Sequence, residues 1–187
     1  MLIRGVSQVA VRARRIHSVA LAWLAMSIAD QVQATLRGLN ADFDVLTIDP
    51  DLADTAAFCQ EYGYRLDESA NAILIASKRP AGRYSVCLAL ATTRLDVNHQ
   101  VRSLMDVKKL SFAPSEMTTE VTGMMIGGVT PFGLPDGLAI YVDAAIVDVP
   151  RVIVGGGDRA TKIHVDPEVF ERVPATTIVE GLASPVS

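Results

Sequence analysis

Apolar residues recur three and four positions apart at Leu21, Leu24, Ile28, Val32 and Leu36, with Asp30 and Gln31 between them. That stripe predicts an amphipathic helix over residues 17–39, and Gly38 and Asn40 suit its C-terminus. Residues 43–48 alternate as a half-buried strand does, and Asp49-Pro50 ends the run. Asp51, Asp54 and Thr55 offer N-cap oxygens to a short helix over 56–62, which Gly63 stops. Two continuous apolar or β-branched runs, 72–77 and 84–91, flank a charged, punctuated stretch at 78–83. They predict a hairpin of two central strands.

Further along, 97–106 reads as a helix, 110–113 as a strand, and Ser115 as the N-cap of a helix over 116–121. Strands are expected at 138–142, 152–154 and 161–165, after which Pro167 opens a helix through Phe170 at the favoured first position. Strands at short spacing, with helices that do not alternate regularly between them, predict an α+β fold. The expected form is a mixed, partly closed β-sheet or barrel surrounded by helices, not a doubly wound sheet.

The chain has 187 residues. Folding a chain of this size removes roughly 70% of its unfolded surface from water, enough for one core. There is no repeat or low-complexity linker, so 17–187 is expected to form a single domain after a flexible extension, 1–16. Half the residues are apolar and a fifth charged, which excludes intrinsic disorder. The 17 Lys and Arg against 21 Asp and Glu give a net charge of -4. A protein that coats long nucleic acids electrostatically is therefore excluded, and a polyanionic partner must be gripped locally. Arg4, Arg12, Arg14 and Arg15 ahead of an apolar run imitate a secretion signal, but Asp30 and Gln31 interrupt the run, and no stretch is long enough to span a membrane. Cys59 and Cys87, both in apolar stretches, read as small buried side chains in a reducing, cytoplasmic compartment.

Much familiar chemistry is missing. His17, His99 and His164 have no His or Cys at metal-ligand spacing, so neither a metal nor another cofactor is expected. There is no GxSxG elbow, no GxxxxGKS loop and no strand followed by GxGxxG. What remains is a pair of glycine clusters: 123–133, containing Gly127, Gly128, Thr130 and Pro131, and 155–159, containing Gly155, Gly156, Gly157 and Asp158. Such loops either make ordinary turns or present successive backbone N–H groups to a carbonyl or developing oxyanion.

Taken in order, Asp54-Thr55-Ala56-Ala57-Phe58-Cys59, Ser69-Ala70-Asn71-Ala72-Ile73, the run Gly127 to Gly133, then Gly155-Gly156-Gly157-Asp158 with Lys162-Ile163 and Asp166-Pro167, are similar to the YbaK/prolyl-tRNA-synthetase-associated editing domains. The resemblance covers about residues 40–173. It implies a compact α+β domain that hydrolyses the ester joining a wrong small amino acid to tRNA, most often proline tRNA. It implies aminoacyl-tRNA as partner, and a synthetase as a possible second one. By this resemblance the loop from Gly127 to Pro131 holds the acyl carbonyl and terminal ribose, and water or a ribose hydroxyl attacks, without a protein nucleophile. The pocket would be shaped by Ile73, Leu74, Met124, Met125 and Ile126.

The chain departs from the family pattern at Asn71, where many members carry a lysine linked to activity. Asparagine donates hydrogen bonds but brings no charge. Two readings follow: a deacylase using backbone donors of Gly127 and Gly128 with Asn71 and Asp158 in support, or a catalytically weak editing-like module that binds aminoacyl groups or a synthetase. Gly155, Gly156, Gly157, Thr130 and Pro131 are the expected substrate contacts, although an aspartate beside three glycines, as Asp158 is, is more often a turn former, and Thr130 and Ser115 equally suit local caps. Lys78 reads as a solvated turn residue. Arg94, Arg102, Lys108 and Lys109 form a locally positive stretch that could meet an acceptor stem or simply face water. His164 reads as structural.

Overall fold

A computed structural model describes residues 26–186. The helix expected over 17–39 starts later than the stripe suggests: α1 spans Ile28–Gly38 with Ser27 extended at its N-cap, and residues 17–25 of that expectation, like the expected extension, lie outside the described residues. Ser27 caps the helix by accepting from the Asp30 amide at 3.1 Å; of the predicted stripe Val32 and Leu36 are buried and Ile28 partly so, and Ala29 is buried beside them. Strand β1 is Phe43–Thr47, and helix α2 is Thr55–Tyr62, ended by Gly63 in the left-handed conformation.

The hairpin is tighter than the sequence suggests. Only Pro80 separates β2 (Ala70–Arg79) from β3 (Ala81–Leu90), so most of the expected turn at 78–83 is strand. A register shift between Ala76 and Lys78 lets pairing run on to Lys78 opposite Ala81. After β4 (Thr93–Leu95), the single helix expected over 97–106 is instead a π-helical turn, Val97–Val101, followed by a short α3, Arg102–Leu104. Asp106 ends it with φ 49°. Strand β5 is Lys109–Phe112, and α4 is Ser115–Thr122. Ser115 is the first residue of α4 rather than its cap; Pro114 holds the cap position, and Thr118 bonds back to its carbonyl at 3.1 Å. Strands β6 (Ala139–Asp143), β7 (Val152–Gly155) and β8 (Thr161–Val165) fall within a residue of expectation. The turn opened by Pro167 is a 3-10 helix, Pro167–Arg172, followed by β9 (Thr176–Val179) and β10 (Ala183–Pro185).

Five strands form a mixed sheet in the order β5-β2-β3-β6-β9, antiparallel up to β3 and parallel thereafter. A second sheet, β1-β8-β7, is antiparallel, and β10 pairs with β4. A parallel bridge between Ser69 and Ile153 joins the start of β2 to β7, so the two larger sheets curl toward each other as a partly closed α+β arrangement.

Both faces of the hairpin are covered, which explains its continuous apolar runs. Leu74, Val86 and Leu88 face a core shared with α1, β6, β7 and β8, in which Phe132 stacks on Phe170 at 5.8 Å. Ile75, Cys87 and Ala89 face a second cluster with Leu95, Val101, Met105 and Leu182. Both cysteines are buried and free. Among the described residues no helix is long and apolar enough to cross a membrane.

Candidate functional site

Helix α2 starts on a turn that fixes several side chains at once. Asp54 Oδ1 accepts from the amides of Ala56 at 3.0 Å and Ala57 at 3.3 Å, which sets the helix entry. The Thr55 hydroxyl then donates to Asn71 Oδ1 at 2.6 Å. Asn71 stands near the start of β2, opposite Ala89, half-buried.

The two glycine loops interlock. The Gly157 amide donates to the Gly128 carbonyl at 2.7 Å, and the Gly156 amide to the Thr161 carbonyl at 3.0 Å. A Cβ on Gly128 would overlap the Asp158 backbone, and one on Gly155 would overlap the carbonyls of Gly128 and Val129. Glycine is thus required at 128 and 155 because two backbones cross where no side chain fits.

This packing corrects several expectations. Gly128 is not a free donor: its amide is spent on the Met125 carbonyl at 2.9 Å. The Gly156 and Gly157 amides are likewise used within the protein. Asp158 acts as a turn former, its Oδ1 accepting from the Ala160 amide at 3.0 Å. Thr130 is fully buried, and its hydroxyl has no partner among the described residues. Of the expected backbone cradle, Gly127 is left: it is half-buried with φ 92°, and its N–H has no acceptor among the described residues.

Lys162 on β8 belongs in the sequence only to the Lys162-Ile163 motif, and the structure places it against both the Gly127 loop and the turn before α2. It is 4% exposed, and its Nζ donates to the Ala53 carbonyl at 2.7 Å and to the Gly127 carbonyl at 3.1 Å. The Phe58 ring lies 5.6 Å from it. Burial pushes its pKa down to about 8, with Asp54 and Cys59 pulling up and Arg159 pushing down. The available signal was a lone lysine within an alternating apolar strand pattern, a position that normally faces solvent. Lys162 joins the Gly127 loop to the turn before α2, and Asn71 reaches the same turn through Thr55.

Other expected contacts lie elsewhere. Pro131, with Gly133, Thr35, Glu120 and Leu138, lines a groove of about 800 Å³ that Asn71, Gly127 and Lys162 do not line. Met124 and Leu74 are buried in the main core, whereas Met125 and Ile126 stand about half exposed at the loop tip. Lys78, Arg94, Arg102, Lys108 and Lys109 are exposed, and β2–β5 pairing sets Arg79 opposite Lys109. His164 packs edge-on against Tyr64, with burial pushing its pKa down.

A family model described as an aminoacyl-tRNA editing domain matches residues 49–173. Among solved structures, a candidate trans-editing enzyme for prolyl-tRNA synthetase superimposes with a TM-score of 0.69 at 21% identity, covering 83% of this chain and 98% of that one. A second, a hypothetical protein, superimposes with a TM-score of 0.73 at 19% identity over 82% of this chain and 99% of that one. At these identities the likeness is one of fold.

Proposed function

Because the chain belongs to the aminoacyl-tRNA editing domain family, we propose that it is a trans-editing deacylase that removes a small mischarged amino acid from tRNA, with proline tRNA as the expected carrier. The physical need is general: a synthetase pocket gains only about 1 to 3 kcal/mol per substrate methylene, so smaller amino acids pass and a second site must clear them. The structural likeness to a candidate editing enzyme for prolyl-tRNA synthetase supports the choice of tRNA.

The observation that carries the reading is the Gly127 loop, inside the matched stretch, with an N–H that no described residue accepts, held at a half-buried position. Such a donor suits the acyl oxygen of an ester. Water adds to the acyl carbon and the carbonyl electron pair moves onto oxygen. Collapse then breaks the bond to the ribose oxygen, which leaves with a proton, giving free amino acid and tRNA with a terminal hydroxyl. Gly127 and Asn71 are the groups proposed to touch the acyl end, and Gly128, Gly155, Gly156, Gly157 and Asp158 shape the loop behind them.

One observation favours the second reading, a binding module of feeble activity: Asn71 brings no charge, and its Oδ1 is already occupied by Thr55. A panel of mischarged tRNAs separates the two. Ester loss clearly faster than spontaneous hydrolysis for a small amino acid on proline tRNA is the expected result. Decay of every pair at the uncatalysed rate removes the deacylase.

A further inference from the structure

An ammonium group has three N–H donors. At Lys162 two of them are spent on the Ala53 and Gly127 carbonyls, and no described group accepts the third. Lys162 is almost wholly buried, yet no carboxylate forms an ion pair with it among the described residues. Burying a charge without a counter-ion is costly, and a buried ammonium with a perturbed pKa, held by backbone carbonyls beside a loop, is a candidate functional group. In the Gly127 loop that Lys162 holds by its carbonyl, two further groups are unmatched among the described residues: the Gly127 N–H, and the fully buried Thr130 hydroxyl three positions on. Two carbonyls, one on each side, fix Nζ where it is, and the Phe58 ring limits its movement.

We propose that Lys162 is a catalytic residue of this site, giving its remaining N–H to the acyl oxygen of the bound ester and stabilising the negative charge that forms there. This rests on the deacylase reading for its substrate, and the charge it supplies is one that Asn71 does not. The groups facing the ammonium are Asp54 and Cys59 from α2 and the turn before it, and Arg159 from the loop before β8. Their net influence is smaller than that of burial, so the protonated form is lost near pH 8. Rate enhancement over spontaneous hydrolysis should therefore fall as pH rises through that value.

The test combines kinetics with a direct titration. Lys162→Met should lower kcat/KM about 100-fold or more, the scale for losing an oxyanion donor. Lys162→Arg stays charged throughout, so activity it retains should lack the high-pH fall. The chain has four lysines, Lys78, Lys108, Lys109 and Lys162, so ¹³C-labelled lysine resolves Lys162 by NMR in the wild-type protein. Its pKa should rise when the alanyl amide of 3′-amino-3′-deoxyadenosine binds, because the amide carbonyl accepts from the ammonium. A rise shows that the ammonium meets the acyl carbonyl, and this contact stands even if wild-type protein hydrolyses no mischarged tRNA, an outcome that defeats the deacylase reading and with it the catalytic part of the role. An active enzyme whose Lys162→Met variant keeps wild-type rate and pH profile, or a Lys162 pKa unmoved by the saturating amide, overturns the role of Lys162 and leaves the deacylase standing.

Discussion

The Thr55 hydroxyl donates a hydrogen bond to Asn71 Oδ1 across 2.6 Å, tying the first turn of α2 to the start of β2. The amide carbonyl of Asn71 is thereby committed and its NH2 is turned away from Thr55, free to donate. Replacing Asn71 with Lys removes the acceptor but adds a mobile charge at a half-buried position. The loss of one neutral hydrogen bond costs about 1 kcal/mol of stability. The gained charge-assisted donor is roughly twice as strong toward an oxyanion. Asn71→Lys is expected to raise deacylation about 10-fold with a small drop in Tm, both read on the same preparation. Unchanged hydrolysis would show that position 71 does not touch the reacting ester.

Gly128 and Gly38 make a matched pair for testing the loop crossing. A methyl at Gly128 would collide with the Asp158 main chain, which has nowhere to go because Gly128 and Gly157 are bonded across the same gap. Gly128→Ala should cost about 3 kcal/mol, as overpacking does. At Gly38, in the last turn of α1, the added methyl meets nothing within 4 Å, and Ala should be neutral or stabilise by about 0.5 kcal/mol. Urea unfolding of the two variants measures both. Equal stabilities would mean that the two loops do not meet as described.

Much of the fold is legible in sequence where one local rule decides. The 161–165 strand and the Asp54-capped helix follow from alternation and from a single cap oxygen. Where the expectation missed, contacts remote in sequence are present: 97–106 has helical composition, but its first turn is π-helical, Asp96 accepts from the His99 amide at 3.1 Å, and the strand before it pairs with β10. The same blindness affected the site. Glycines at 128 and 155 stand out in the sequence, and the demand they meet is the crossing of two backbones nearly 30 residues apart, which no local pattern displays. Lys162 shows the converse, since burial of its ammonium depends on carbonyls from Ala53 and Gly127, both remote in sequence.

Lys162 also predicts how stability changes with pH. Its pKa lies at about 8 when folded and near its ordinary 10.5 when unfolded. Above pH 8 the unfolded chain holds more protons at this group than the folded one, so its contribution to stability rises with pH. Cys87 acts oppositely: burial pushes its thiol up to about 12, and the advantage of the folded thiol disappears as pH climbs past 9. The clean window is therefore pH 7.5 to 9. Denaturant unfolding should give stability rising across it by about 1 kcal/mol, from one pKa unit of the shift. In Lys162→Met the rise should vanish, and a slope identical to wild type would place the titration elsewhere.

Contact with the body of a tRNA calls for cations outside the acyl site. Arg79 and Lys109 face each other in register at the end of the β2 hairpin, with Lys78 and Lys108 beside them in sequence and all four exposed. None is ion-paired among the described residues. Arg79 lies eight residues along β2 from Asn71, roughly 25 Å at strand spacing, a span that a single-stranded tRNA end can bridge before the duplex begins. In a chain of net charge -4 this end is a local attraction for phosphates. Lys108→Glu with Lys109→Glu should weaken tRNA binding about 10-fold at moderate salt. The slope of log affinity against log salt should fall by about 1.5, as expected for two lost phosphate contacts. Hydrolysis of a minimal aminoacyl-adenosine ester, which does not reach the hairpin, should stay at the wild-type rate. If that small ester is slowed as much as full tRNA, the lysines act through the fold and not through the nucleic acid.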